Sequence, residues 1–216
     1  MSIQQDDIVA VGGDLELDTL VRAYAHGVFP WPVEGLPLLW FCPRERAILA
    51  FDDLHVARSL ARARAHTTLR FTVDADFDGV VRACATTPRP TQDGTWITPD
   101  IMDAYARLHD AGVAHSVEAW DGDDLAGGVY GVDAGGAFAA ESMFHRVSNA
   151  SKLALLHLIE HLRGRGLDWI DVQVMTPHLA RLGARTLPRA EFLRRLARTR
   201  ARGLTLFATP PRRIVR

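Results

Sequence analysis

Three polar side chains interrupt two apolar runs in the second half of the chain. Glu141 ends the run GGAFAAE, and Asp171 and Gln173 lie inside DWIDVQVM. Burial of such groups costs a few kcal/mol unless they are paired. Two carboxyl groups and an amide are suited to binding an ammonium or guanidinium group and to relaying a proton. The alternative is a buried polar network with only a structural role, although three such groups in one strand–helix–strand unit are more than a core usually carries.

The pattern around these residues predicts how they meet. A helix over 148–166 separates the strand of Glu141 from a strand over 167–175, and such a crossover joins neighbouring parallel strands. Because alternate side chains of a strand share one face, Asp171 and Gln173 are predicted to point the same way. We therefore expect the three polar residues to converge at one end of a sheet.

Capping and turn residues predict the other elements. Asp14 or Asp18 is expected to cap the first helix, and Thr98 to cap a later one. The Pro-rich aromatic segment 28–43 is predicted to be neither a helix nor a regular central strand, and 87–94 is predicted to be a loop. The predicted strands cover 8–13, 47–51, 70–77, 114–120, 124–132 and 137–143, and the other predicted helices cover 52–66, 77–86, 98–112, 176–184 and 188–203.

Together these elements predict a mixed α/β (α+β) fold with two parts. A small N-terminal domain is expected at 1–45, followed at 46–216 by a domain in which helices flank a mixed sheet. This topology fits acyl-coenzyme A N-acyltransferases, whose pyrophosphate lies on a Gly-rich turn at a helix N-terminus. Here that position reads HRVSNAS, without glycine. The loop for that cofactor is therefore missing.

Composition is that of an ordinary globular protein. The 216 residues are 48% hydrophobic and 24% charged, and the net charge is −1. No apolar run approaches the roughly 18 residues of a membrane helix, and the N-terminus does not read as a signal peptide. Cys42 and Cys84 are too few for a disulfide framework or a cysteine zinc site, so a cytoplasmic location is expected.

Several long motifs resemble one known family. FPWP, LLWFCP, GTWITPDIMDAYARLHDAG, LAGGVYGV, ESMFHRVSNASK, IDVQVMTPHLARLGA and LPRAEFL look like leucyl/phenylalanyl-tRNA–protein transferase, over about residues 9 to 200. The resemblance implies an acetyltransferase-like (GNAT-like) domain that uses aminoacyl-tRNA as donor. Members transfer Leu or Phe, and less readily Met, to proteins that begin with Arg or Lys, which marks the acceptor for degradation. No cofactor or metal is expected, since an amine attacking an activated ester needs only positioning and proton removal. We also expect a monomer.

The resemblance assigns expected roles to individual residues. Trp31 and Trp96 match aromatic residues that hold the terminal adenosine of the tRNA. Glu141, Asp171 and Gln173 match the polar centre, in which either Gln173 accepts a proton through Asp171 or Asp171 binds the cationic N-terminus of the acceptor. The residues that match the apolar pocket for the donor side chain are Val129, Phe138, Met143 and Ile170.

Basic residues suggest where the tRNA body lies. The resemblance places the tRNA surface on the helix with Arg58 and Arg62, near Arg64. The eleven Arg residues of 178–216 are instead predicted to form a solvated face. Two departures from the family pattern lie near the predicted site: Arg181 stands in LARLGA where LASLGA is common, and His145 replaces a common small residue.

Two other functional classes stay open from the sequence. One is a different aminoacyl-tRNA-dependent acyltransferase on the same fold, such as a peptidoglycan-type ligase. The other is a catalytically silent module that binds tRNA or peptide, although retention of Asp171 and Gln173 speaks against it.

Overall fold

The computed structural model describes residues 5–87 and 95–208, and therefore omits most of the loop predicted at 87–94. Within these ranges the chain forms ten strands and seven α-helices. The strands are β1 Ile8–Val11, β2 Phe29–Trp31, β3 Leu39–Phe41, β4 Glu45–Ala50, β5 Arg70–Val73, β6 Ala114–Asp121, β7 Asp124–Asp133, β8 Phe138–His145, β9 Trp169–Gln173 and β10 Arg185–Pro188. The helices are α1 Leu17–Ala25, α2 Arg58–Ala65, α3 Phe77–Thr86, α4 Pro99–Asp110, α5 Ala150–Gly164, α6 Pro177–Arg181 and α7 Arg189–Arg200.

The larger sheet has seven strands in the order β10-β4-β9-β8-β7-β6-β5. Neighbouring strands are antiparallel except β8 and β9, which run parallel with Ala139 opposite Asp171. Helix α5 is the crossover between these two strands, as its position in the sequence predicts. Together with a small three-stranded sheet, this confirms the expected mixed sheet with flanking helices and a small N-terminal part.

Helix α5 buries an apolar face whose residues recur every three residues along the sequence. Leu153, Leu156, Ile159 and Leu162 are all at most 4% exposed. The start of the helix approaches strand β7 closely at Gly127, where an added Cβ would lie 2.7 Å from the Cβ of Ala150. Glycine in LAGGVYGV therefore lets the N-terminus of α5 lie directly against the sheet, beside the end of β8.

The N-terminal part corrects two predictions. Segment 28–43 contains β2 and β3, and β3 is the central strand of the three-stranded sheet β1-β3-β2. The proline at position 30 is tolerated because β2 is an edge strand. Neither Asp14 nor Asp18 caps α1: the N-cap position is Glu16, and the carboxylate of Asp14 accepts a hydrogen bond from the Glu16 N–H.

Other boundaries differ in smaller ways. The helix predicted at 52–66 begins only at Arg58, after a 3-10 turn at Phe51–Asp53. The sequence missed β10, which pairs with β4 far away along the chain. Thr98 does cap α4, where its hydroxyl accepts from the N–H of Ile101. No helix within the described ranges is both long and apolar enough to cross a membrane.

Candidate active site

A cavity of about 690 Å³ opens beyond the position at which β8 and β9 pair, Ala139 with Asp171. Its volume is in the range of small-molecule sites, and its wall is mostly apolar with a few polar groups. It is lined by Trp31, Trp96, Val129, Ala140, Glu141, Ser142, Met143, Leu155, Val172, Gln173, Val174, Met175, Thr176, Pro177, His178 and Leu179.

Glu141 is the centre of a hydrogen-bond network at this cavity. Its Oε1 accepts from the Tyr24 hydroxyl at 2.8 Å and from Nε2 of Gln173 at 2.7 Å. Its Oε2 lies 3.4 Å from the Tyr105 hydroxyl, and the two tyrosine hydroxyls are also hydrogen-bonded to each other. Helices α1 and α4 and the end of β9 thus all position one carboxyl group.

Burial controls the acidity of Glu141. The hydroxyls of Tyr24 and Tyr105 supply one proton each, which suffices for the bond between them and for the bond from Tyr24 to Oε1 of Glu141. Burial raises the pKa of Glu141 from 4.5 to about 7, against the hydrogen bonds from Tyr24 and Gln173, which lower it. Burial, and next the charge of Glu141, also raise the pKa values of Tyr24 and Tyr105 well above 10, so both remain proton donors. Glu141 is therefore poised to exchange a proton near neutral pH.

Asp171 lies behind the cavity in a buried ion pair. The Arg46 guanidinium donates from Nε to Oδ1 at 2.8 Å and from Nη2 to Oδ2 at 2.6 Å. The two side chains are 1% and 7% exposed, and the rings of Phe29 and Phe192 lie on the guanidinium at 4.6 and 4.7 Å. The charge of Asp171 is thus already paired inside the protein, and Asp171 is not among the residues that line the cavity.

Gln173 connects the two carboxyl groups. Its backbone N–H donates to Oδ1 of Asp171 at 2.8 Å, while its side chain reaches Glu141. Its φ of 59° lies in the left-handed region, which costs a non-glycine residue about 1–3 kcal/mol. Asp171 therefore holds Gln173 in an unusual conformation that turns the amide toward the cavity.

The left-handed backbone of Gln173 also ends the predicted alternation of side chains along β9. Trp169 and Asp171 share the face toward α7, where Trp169 packs on Phe192. The alternation ends at Gln173, the last residue of β9, so Gln173 and the residues that follow it line the cavity while Asp171 does not.

Four residues were predicted to line the donor pocket, and the structure separates them into two pairs. Val129 and Met143 face each other across β7 and β8 and line the cavity. Phe138 and Ile170 are at most 1% exposed and are not among the lining residues. Phe138 begins β8, five residues before Met143, and packs on the ring of Phe207.

The two predicted aromatic residues meet at the cavity. The indoles of Trp31 and Trp96 are stacked on each other, with ring centroids 5.5 Å apart and planes inclined by 20°. This stack leaves no space for a base between the rings. A base that binds here must pack on an outer face or edge, and Trp31 is the more exposed of the two.

The predicted tRNA surface lies on α2, away from the cavity lining. Arg58 and Arg62 are exposed, one turn apart, and border a shallow depression of about 550 Å³. Arg64 instead pairs with Glu160 of α5.

The arginines near the C-terminus have structural contacts. Arg200 donates to the carbonyl of Ala25, Arg202 contacts Asp168, and Arg195 lies 5.0 Å from the ring of Trp169. These contacts tie α7 and the segment after it to the rest of the protein.

One group in the described part of the chain has donors of the kind that bind metals. Asp74, His109 and His115 offer ligand atoms within 4.8 Å of one another. Nδ1 of His109 is 2.8 Å from the Ala114 carbonyl, and Nε2 of His115 is 3.2 Å from the Gly112 carbonyl. Nδ1 of His115 also lies 2.7 Å from Oδ2 of Asp74, so hydrogen bonds connect the members of this group to one another and to the backbone.

Sequence reasoning missed Arg46 as a residue of the site. The only signal was a basic residue at the start of the apolar run AILAF. Tyr24 and Tyr105 were missed as well, because both read as core positions of amphipathic helices.

Comparison with known proteins agrees with this architecture. Residues 48–197 match the family model described as leucyl/phenylalanyl-tRNA protein transferase, and residues 13–44 match that of its N-terminal domain. A leucyl/phenylalanyl-tRNA–protein transferase of Anaeromyxobacter dehalogenans (strain 2CP-C) is 52% identical over 195 residues, which cover 90% of this chain and 84% of the relative. The protein of the same name from Pseudomonas fluorescens (strain Pf0-1) is 51% identical over 191 residues, covering 88% and 84%. The chain therefore belongs to the leucyl/phenylalanyl-tRNA protein transferase family.

Proposed function

We propose that this protein transfers Leu or Phe, and less readily Met, from aminoacyl-tRNA to the N-terminal Arg or Lys of acceptor proteins and so marks them for degradation. Family membership supports the reaction class. The observation that carries the proposal is the cavity, in which an apolar wall ends at the Glu141–Gln173 pair. An apolar donor side chain and a reacting ester would lie side by side there.

The donor side chain contacts the apolar wall. Val129, Met143 and Leu155 supply its surface, and Met143 adapts to unbranched and aromatic side chains because its thioether chain is flexible. Phe138 and Ile170 do not line the cavity and belong to the same buried core as Val129 and Leu155. The terminal adenosine packs on the exposed side of the Trp31–Trp96 stack.

The chemistry is aminolysis of an ester. The α-amino nitrogen of the acceptor forms a bond to the ester carbonyl carbon, and the bond from that carbon to the ribose oxygen breaks. Gln173 donates through Nε2 to Glu141, which leaves its amide oxygen free to accept from the attacking amine. Glu141 takes the proton released by the amine, since a carboxylate with a pKa of about 7 is a far better base than an amide. Protonated Glu141 then passes this proton to the departing ribose oxygen, so the Glu141 carboxylate is regenerated.

Asp171 acts through its neighbours in this scheme. Its charge is compensated by Arg46, so the acceptor cation is attracted by ionised Glu141 at the cavity. Asp171 instead fixes the backbone of Gln173, and the Arg46 guanidinium fixes Asp171. Both are positioning residues.

The proposal extends to the tRNA-binding surface, the domain division, the location and the oligomeric state. The exposed Arg58 and Arg62 contact the phosphates of the tRNA body. Residues 1–45 and 46–216 form separate domains, which the separate family matches at 13–44 and 48–197 support. The protein acts in the cytoplasm as a monomer.

A transfer matrix tests the proposed function. Labelled Leu-, Phe-, Met- and Asp-tRNA are each incubated with peptides that begin with Arg, Lys or Ala. Product is expected from Leu- and Phe-tRNA with the Arg and Lys peptides, and little from the Ala peptide. Equal rates with Arg and Ala peptides would remove the acceptor assignment. Binding of tRNA without any transfer would favour the silent binding module.

A further inference from the structure

Basic side chains border one end of the cavity. His178 lines the cavity, and Arg181 follows it by three residues on the same side of α6. Lys152 precedes the cavity-lining Leu155 by three residues on α5, one turn nearer to the start of that helix. These two helices therefore bring three basic residues to the same end.

A fourth basic group comes from β8. His145 and Met143 are two residues apart on a regular part of the strand, so their side chains leave from the same face. Met143 lines the cavity, and exposed His145 extends that face to the end of the strand. The charges of Lys152, Arg181 and His145 all add to burial in lowering the pKa of His178, which agrees with their mutual proximity.

The positive charges of Lys152 and Arg181 at this end of the cavity are uncompensated. Among residues 5–87 and 95–208, the recorded ion pairs include none formed by Lys152, Arg181, His145 or His178. In addition, Nε2 of His178 is buried without a hydrogen-bond partner. By contrast, exposed Arg64 pairs with Glu160 on the same helix as Lys152.

The start of α5 adds to this positive field. Asn149 occupies the N-cap position with φ of 67° and makes no side-chain capping bond. The first turn of the helix holds Lys152 and no acid, although acids are favoured there by the helix dipole. The helix terminus and the four side chains thus all favour an anion at one place.

We propose that this basic cluster, formed by His145, Lys152, His178 and Arg181, binds the phosphate that joins the last two nucleotides of the donor RNA. The inference rests on the proposed function. With the aminoacyl group on the apolar wall, the phosphate on the terminal ribose is the anionic group of the donor nearest to the reacting ester. The acceptor brings a cationic N-terminus and is repelled from the same place, so the cluster also keeps donor and acceptor at opposite ends of the cavity.

Two non-hydrolysable probes separate this phosphate from the rest of the donor. One is phenylalanine joined by an amide to 3′-amino-3′-deoxyadenosine, and the other carries in addition a cytidine linked through a phosphate to the 5′ position. Binding of each probe is measured by calorimetry for the wild type and for the Arg181→Ser and Lys152→Gln variants.

Arg165→Ser is the matched control. Arg165 is exposed at the far end of the helix that carries Lys152, roughly 20 Å away at about 1.5 Å per residue. The Arg165→Ser substitution removes one positive charge, as Arg181→Ser does. Any effect of overall charge alone would appear equally in both variants.

The expected result is selective. Arg181→Ser and Lys152→Gln should each weaken the phosphate-bearing probe about 3- to 10-fold and leave the nucleoside probe unchanged, while Arg165→Ser leaves both unchanged. Equal weakening of both probes, or no weakening of the phosphate-bearing one, would overturn the proposal. If the wild type binds neither probe but the transfer matrix is positive, only the phosphate site falls. If transfer fails as well, the proposed function falls with it.

Discussion

Replacement of Glu141 by glutamine should change how stability depends on pH. Burial raises the pKa of Glu141 from 4.5 to about 7 in the folded protein. Between these pH values the folded protein retains a proton that the unfolded chain has released. The contribution of Glu141 to the free energy of unfolding must therefore fall as pH rises from about 4.5 to about 7, and stay constant on either side.

The magnitude follows from the same two pKa values. At about 1.4 kcal/mol per pH unit, the difference corresponds to about 3 kcal/mol. The side chain keeps an edge on the cavity, and solvent there reduces the effect, so about 1–3 kcal/mol is expected. Glutamine retains an oxygen for the bonds from Tyr24 and Gln173 and adds an N–H₂ group that can donate to Tyr105. Glu141→Gln should therefore be more stable than the wild type above pH 7 and should lose this slope.

Urea unfolding from pH 4.5 to 8.5 measures the effect as a difference between variant and wild type, in which all other titrating groups cancel. Glu160→Gln is the control, since Glu160 is an exposed carboxyl group that is 53% accessible. Parallel stability curves for the wild type and Glu141→Gln would refute the reasoning. So would a wild type that gains stability over the variant as pH rises to 7.

Three further changes have expected outcomes of stated direction. Arg46→Met leaves the buried Asp171 carboxylate unpaired and should lower the free energy of unfolding, measured by urea titration, by about 3–5 kcal/mol. The double variant with Asp171→Leu should recover part of this loss. An Arg46→Met variant as stable as the wild type would contradict the pairing. Tyr24→Phe removes a hydrogen bond to ionised Glu141 and should shift the midpoint of the pH–rate profile upward by roughly half to one pH unit. A downward shift would show that this bond favours the neutral form of Glu141. Arg58→Glu should reduce the log–log salt slope of tRNA binding by about one unit or more, and an unchanged slope would remove α2 as the tRNA surface.

Local sequence signals predicted much of the fold. The strands between residues 114 and 173, the Thr98 cap and the buried face of α5 all follow from turn residues, capping residues and hydrophobic periodicity. The crossover through α5 also predicted that Glu141 and Gln173 would meet. These features depend on neighbours in sequence or on a single well-known connection.

The features that sequence reasoning missed depend on distant pairing. Arg46 meets Asp171 because β4 inserts beside β9, 125 residues further along, which no local pattern encodes. The strands of the N-terminal sheet are only three or four residues long, one of them contains Pro30, and they are recognised only by their partners. The left-handed φ of Gln173 ended the alternation that the strand pattern assumed, because a side-chain contact from Asp171 stabilises an otherwise unfavourable backbone.

The most direct test of Glu141 as the proton acceptor beside Gln173 is the single-turnover rate of Phe transfer from Phe-tRNA to an Arg peptide as a function of pH. For the wild type the rate should rise through a midpoint near pH 7, where Glu141 ionises. Glu141→Gln should be slower by roughly 100-fold or more and should lack that midpoint, retaining only the titration of the acceptor amine near pH 8. A variant with the wild-type rate and midpoint would contradict the assignment of Glu141 as the group that takes the proton.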